Sequence, residues 1–109
     1  MGGAGRIRKT WEFRKVFRNG RKRVGKNLSV WVLEGQGDRR LGVIIPKSTA
    51  ANAVSRNRLK RVIRESWRKQ ADRLAEDAWV VVSVRRGAGR ELDLVGELQE
   101  ALEECHVAK

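Results

Sequence analysis

Cysteine and histidine are almost absent: Cys105 and His106 are the only residues of either type among 109. A lone thiol makes no internal disulfide and fits a reducing compartment. A lone imidazole excludes a histidine-pair ribonuclease mechanism. Two adjacent side chains fall short of the three or four ligands of a zinc site. Acids are scarce in the first two thirds of the chain, where only Glu12, Glu34, Asp38 and Glu65 occur. They fall in four different predicted elements, with no cluster suited to two metal ions. No phosphate-binding loop or nucleotide-binding glycine fingerprint is present. The sequence therefore holds no centre that cleaves a phosphodiester by itself. There is no signal peptide and no apolar run long enough to span a bilayer. Internal repeats and long linkers are also missing, and the length suits one domain with an adequate but thin core.

What is present is positive charge. The formal net charge is +12 and the isoelectric point is near 11.2. Residues 1–70 carry 20 basic and 4 acidic side chains, a balance of +16; residues 71–109 carry 5 and 9, a balance of −4. So large an excess of one sign repels itself without a counter-charge. The split predicts a basic binding surface in the first two thirds and an acidic face turned away from it.

Residues 1–9 are glycine-rich and basic and read as a flexible tail, leaving residues 10–109 as the folded domain. Thr10 is placed to cap a short helix over residues 10–18, with Trp11, Phe13, Val16 and Phe17 as its apolar positions. Asn19-Gly20 stops it, and residues 21–26 form a basic connector. Leu28–Leu33 alternates as a strand, with Ser29, Trp31 and Leu33 on one side. A glycine-rich turn leads to a second strand over Leu41–Ile45, expected to run antiparallel to the first, and Pro46 ends it. A helix is predicted from Asn52–Ala53 to about Leu74. Trp79–Val84 is a near-continuous apolar run, as in a strand buried on both faces. Leu92, Leu94, Val95, Leu98, Ala101 and Leu102 then recur at helical spacing. The strand–helix–strand stretch from Leu41 to Val84 suits two parallel strands joined by the helix, within a small α+β sandwich of one mixed sheet and packed helices.

The central helix carries the chemistry. From Arg56 to Lys69 there are seven Lys or Arg and one acid. Leu59, Val62, Ile63 and Trp67 share one side, which can be buried. Arg56, Lys60 and Arg64 recur every fourth residue, with Arg68 one turn further and Arg58 and Arg61 flanking. Asn57 both donates and accepts, as a base or a 2′-hydroxyl requires. Solvated helix faces usually alternate sign to gain ion pairs, and this one does not. A rigid rod of cations matches a nucleic acid backbone. Trp31, on a mixed strand face, and Phe13 and Phe17, one turn apart, are candidates to stack on unpaired bases. By pattern alone Phe13 and Phe17 read as core, and Trp11, Trp67 and Trp79 as core or core rim.

The run Ala53-Val54-Ser55-Arg56-Asn57-Arg58-Leu59-Lys60-Arg61-Val62-Ile63-Arg64-Glu65 resembles the signature helix of the bacterial ribonuclease P protein family, Ala-Val-x-Arg-Asn-x-x-Lys-Arg-x-x-Arg-Glu. Phe13-Arg14-Lys15-Val16-Phe17-Arg18-Asn19-Gly20 is similar to the family's first helix. Leu41-Gly42-Val43-Ile44-Ile45-Pro46-Lys47 is similar to its Leu-Gly-strand-Lys segment. The likeness covers about residues 7–104.

The resemblance implies a two-layer α+β sandwich like the second domain of ribosomal protein S5. Its mixed four-stranded sheet would carry an uncommon left-handed strand–helix–strand crossover. It implies a protein cofactor, one per catalytic RNA, in a cytoplasmic ribonucleoprotein that hydrolyses precursor tRNA. The reaction releases the 5′ leader and leaves a 5′-phosphate, and catalysis belongs to the RNA and its Mg²⁺ ions. The catalytic RNA would lie on Arg56, Asn57, Arg58, Lys60, Arg61, Arg64 and Arg68. The leader would lie in a cleft lined by Phe13, Phe17, Trp31 and Lys47, with Asn57, Lys60 and Arg64 nearby; Phe13 and Phe17 are then expected to be partly exposed. Two departures stand out: Pro46-Lys47-Ser48 has one cation fewer than the family's usual Ser-Lys-Lys, and Ala50-Ala51 replaces a glycine. The competing readings are a non-catalytic, ribosome-associated binder of structured RNA and a basic DNA-binding protein.

Overall fold

The computed structural model describes residues 5–45, 53–70 and 77–84, together with Gly96, Leu98 and Glu100. Along them run β1 (Gly5–Arg6), α1 (Thr10–Asn19), β2 (Arg21–Val24), β3 (Leu28–Leu33), β4 (Arg40–Ile44), α2 (Ala53–Gln70) and β5 (Trp79–Val84). Gly96, Leu98 and Glu100 are helical, as the late leucine spacing predicts, and Leu98 is buried.

The strands form one mixed sheet in the order β1-β4-β5-β3-β2. β5 lies at the centre, parallel to β4 and antiparallel to β3. That position accounts for its apolar run, because side chains on both faces are covered. β4 and β3 do run in opposite directions, but β5 lies between them. The expected antiparallel sense of Leu28–Leu33 and Leu41–Ile45 therefore holds, but α2 returns the chain to a strand inserted between the two.

The sheet has five strands where four were implied. β2 occupies the stretch read as a connector and pairs with β3 from Arg21↔Val32 to Val24↔Ser29. β1 pairs with β4, and the backbone N–H groups of Gly5 and Ile7 donate to the carbonyls of Arg39 and Leu41. Residues 5–7 of the stretch read as a tail are thus tied to the sheet, and Ile7 is buried.

Helices cover both faces, so the layering is helix–sheet–helix rather than two-layered. Leu28, Val30, Val32, Leu41, Val80, Val82 and Val84 meet Ile63 and Trp67 of α2 on one face. Val81, Trp79 and Ile7 meet Val16 of α1 on the other, with Phe13, Trp31, Leu33 and Ile44 packed against them. Burying each such aliphatic side chain is worth about 1.5–3 kcal/mol, which fixes both helices on the sheet.

The start of α1 differs from the expected threonine cap. Thr10 is already helical, and Lys9 takes the cap position. Glu12, in the first turn, reaches back instead: its Oε1 accepts the N–H groups of Arg8 and Lys9 at 3.0 and 2.9 Å. The end of α1 is set by space. A Cβ on Gly20 would stand 2.7 Å from the carbonyl oxygen of Val16 and 3.1 Å from that of Val32. The turn between β3 and β4 uses Gly35 and Gly37 at φ 79° and 85°, where a side chain is strained.

Candidate nucleic-acid interface

Strand register and helix spacing place aromatic rings on the α1 face of the sheet. Lys22 pairs with Trp31 across β2 and β3, so both side chains point the same way. Phe13 and Phe17 project from one side of α1. Their ring centroids are 6.3 Å apart, and Phe17 meets Trp31 edge-on at 4.8 Å. The Nζ of Lys22 stands 5.2 Å from the centroid of Trp31. Phe17 keeps 40% of its surface exposed, while Phe13 and Trp31 are half-buried. The row is therefore an open wall with a cation at its rim, the composition that stacks single-stranded bases. Gly42 makes room for it: a Cβ there would lie 2.7 Å from Cε1 of Phe13. Lys22 escaped the sequence reading, although alternation from Trp31 carried the signal, and Gly42 entered it only as part of the Leu-Gly segment. Lys47 lies outside the described residues.

The α2 cations occupy the opposite side of the sheet. Ile63 and Trp67 point inward; Asn57, Arg58, Arg61 and Arg68 are exposed, and Arg56, Lys60 and Arg64 are half-buried. No described carboxylate lies within ion-pair distance of Lys60, Arg61 or Arg64. Partial burial, and then the nearby charge of Arg6, hold the Arg64 guanidinium below its ordinary pKa. The counter-charge of an RNA phosphate would offset both effects. Among the described residues no ring or cation–π contact joins Asn57, Lys60 or Arg64 to the Phe13–Phe17–Trp31 row.

A third group lies on the far flank of α1. Trp67 and Trp79 are buried as expected, but Trp11 is 56% exposed, which corrects its reading as core or core rim. Helical spacing held the signal: Trp11 stands two residues from Phe13, which puts it on another side of the helix, and four from Lys15. Its ring lies 6.3 Å from that of Trp79. Beneath it, Trp79 donates its indole N–H to Asp38 at 2.7 Å, and Arg40 donates to Asp38 at 2.8 Å. Arg40 also pairs with Glu12 and lies 4.7 Å from the Trp79 centroid. The Trp79 and Arg40 hydrogen bonds lower the Asp38 pKa. Glu12 is lowered too, first by the two backbone N–H groups it accepts, against its burial. These two acids, assigned to separate elements by sequence, thus converge on Arg40. Among the described residues no group of three or more His, Cys, Asp or Glu side chains is placed to hold a metal ion.

Comparison with known proteins bears on the family and the fold. A family model described as Ribonuclease P matches residues 1–106. The ribonuclease P protein component of Macrococcus caseolyticus is 32% identical over 95% of this chain and 87% of its own length. That of Shouchella clausii is 37% identical over 95% and 83%. Among solved structures, the RNase P protein of Staphylococcus aureus superposes with a TM-score of 0.84 at 25% identity, over 97% of this chain and 99% of that one. The RNase P protein of Thermotoga maritima, at 22% identity, shares the fold with a TM-score of 0.77 over 94% and 98%.

Proposed function

The chain belongs to the ribonuclease P protein family, and from that premise we propose how its two faces divide the work. Ribonuclease P is a ribonucleoprotein endoribonuclease that removes tRNA 5′ leaders, and its protein subunit is non-catalytic. In our reading α2 lays Arg56, Asn57, Arg58, Lys60, Arg61, Arg64 and Arg68 on the catalytic RNA. Their charges displace counterions from the RNA backbone, the main source of affinity for such a contact. The row Phe13–Phe17–Trp31, with Lys22 at its rim and Lys47 following β4, takes the unpaired bases of the leader. Asn57, Lys60 and Arg64 lie across the sheet from this row, so in this reading they meet the leader outside the cleft.

The observation that carries this reading is the open aromatic wall on the sheet face away from α2. Rings open beside a lysine suit unpaired bases, whereas the cations of α2 suit a phosphate backbone. Mg²⁺ ions held by the RNA supply the chemistry of hydrolysis. In this reading the protein's part is to bind and orient. One protein per catalytic RNA, working in the cytoplasm without membrane attachment, completes the proposal. A lone cysteine fits that compartment, and no described helix is long and apolar enough to cross a membrane.

The test is precursor tRNA cleavage by a bacterial ribonuclease P RNA at low Mg²⁺, with and without the protein. Protein-dependent release of the 5′ leader is expected. Tight RNA binding without stimulation would instead favour a non-catalytic binder of structured RNA.

A further inference from the structure

α1 carries aromatic surface on both flanks, and the aromatic cleft uses only one. We propose that Trp11, with Lys15 beside it, is a second base-stacking site, occupied by a leader nucleotide lying 5′ of those in the cleft. This rests on the reading of the cleft as the leader site.

Four observations support it. Trp11 is more exposed than Phe17, the most open ring of the cleft, and is backed by the buried Trp79. A large, supported and exposed indole is a costly surface to leave in water and a good platform for any base. Lys15 follows Trp11 by four residues, so the two are neighbours on the helix surface, and its Nζ lies 5.4 Å from the Trp79 centroid. No described acid pairs with Lys15, while Glu12 and Asp38 are both engaged by Arg40. Lys15 is therefore placed to meet a phosphate. Between the two flanks, Arg14 and Arg18 are exposed along the outer ridge of α1. They are again four residues apart, so they line up along the helix.

The occupant follows from continuity. Trp11 shares its helix and sheet face with the cleft, whereas the catalytic RNA is assigned to α2 on the other side. The 3′ end of the leader is tied to the scissile bond. In this proposal the strand leaves the cleft past Arg14 and Arg18 running 5′, and Trp11 is the next ring on α1.

The experiment measures holoenzyme affinity for precursors whose leader is shortened one nucleotide at a time, and for mature tRNA. With long leaders Trp11→Ala should weaken binding about tenfold, the scale of one lost stacking contact, and Trp11→Phe should restore most of it. With leaders too short to leave the cleft, Trp11→Ala should bind like wild type, whereas Phe17→Ala should be weak at both lengths. Equal affinity of Trp11→Ala and wild type at every length would overturn the proposal. So would a loss that includes mature tRNA. Failure of Phe17→Ala to weaken any leader would instead overturn the cleft reading. If Trp11→Ala lowers the melting temperature, Lys15→Ala tests the same site without removing the indole. It should weaken long-leader binding and flatten its salt dependence, and equal losses at both lengths would refute the site.

Discussion

Glu12 joins three parts of the molecule. One carboxylate oxygen closes the start of α1 through the N–H groups of Arg8 and Lys9, and the other holds Arg40 of β4. Its folded pKa is depressed, so its stabilising effect is complete above the ordinary value of 4.5 and is lost as pH falls through the lowered one. Asp38 acts in the same direction from an ordinary value of 3.8. Urea midpoints measured from about pH 6 down to about pH 3 should therefore fall on the acid side, and Glu12→Gln should flatten that fall. At neutral pH the same substitution should cost about 1.5–3 kcal/mol, the range for a hydrogen bond to a charged group. An unchanged acid slope would show that Glu12 does not anchor the helix. None of this convergence was legible in the sequence, because Glu12, Asp38 and Arg40 meet only through strand order and helix placement. Gly42 was legible as part of a motif, but its reason is the phenyl ring of Phe13 lying on it.

The elements with strong periodicity were readable. α2 announces its buried side through Leu59, Ile63 and Trp67, and the structure starts it at Ala53, as expected. β5 announces itself through an apolar run that only a central strand needs. β1 and β2 did not. Two residues carry no period, and Arg-Lys-Arg-Val at the sheet edge alternates nothing apolar. Both are held by backbone pairing to one neighbour, and the cations on β2 guard an open edge against further pairing. The cationic surface of α2 makes its own prediction. Lys60→Ala should weaken binding of the catalytic RNA at all sequences and lower the slope of log affinity against log salt by about one phosphate contact. Binding titrations across a salt series read this directly. An unchanged slope would remove Lys60 from the phosphate-facing set.

At the scale of the whole molecule, the sheet separates two surfaces with different chemistry. One presents guanidinium and ammonium groups on a helix; the other presents rings that open beside a lysine. The charge split along the sequence pointed to a basic binding side, but not to its division between two sheet faces. That division depends on α1 and α2 packing on opposite faces, where hydrophobic pattern alone leaves the side of each helix open. The resemblance to the family supplied what pattern lacked: it moved Phe13 and Phe17 from core to cleft, and the structure leaves Phe17 40% exposed and Phe13 half-buried. The central claim is that this wall reads the leader while the rest of the substrate is held elsewhere. It is tested most directly by the ratio of holoenzyme affinities for leader-bearing precursor and mature tRNA, compared between wild type and Phe17→Ala. The expected result is a ratio that falls by about tenfold, with affinity for mature tRNA unchanged. A ratio equal to that of the wild type, with both affinities lowered together, would contradict the claim and mark Phe17 as structural support.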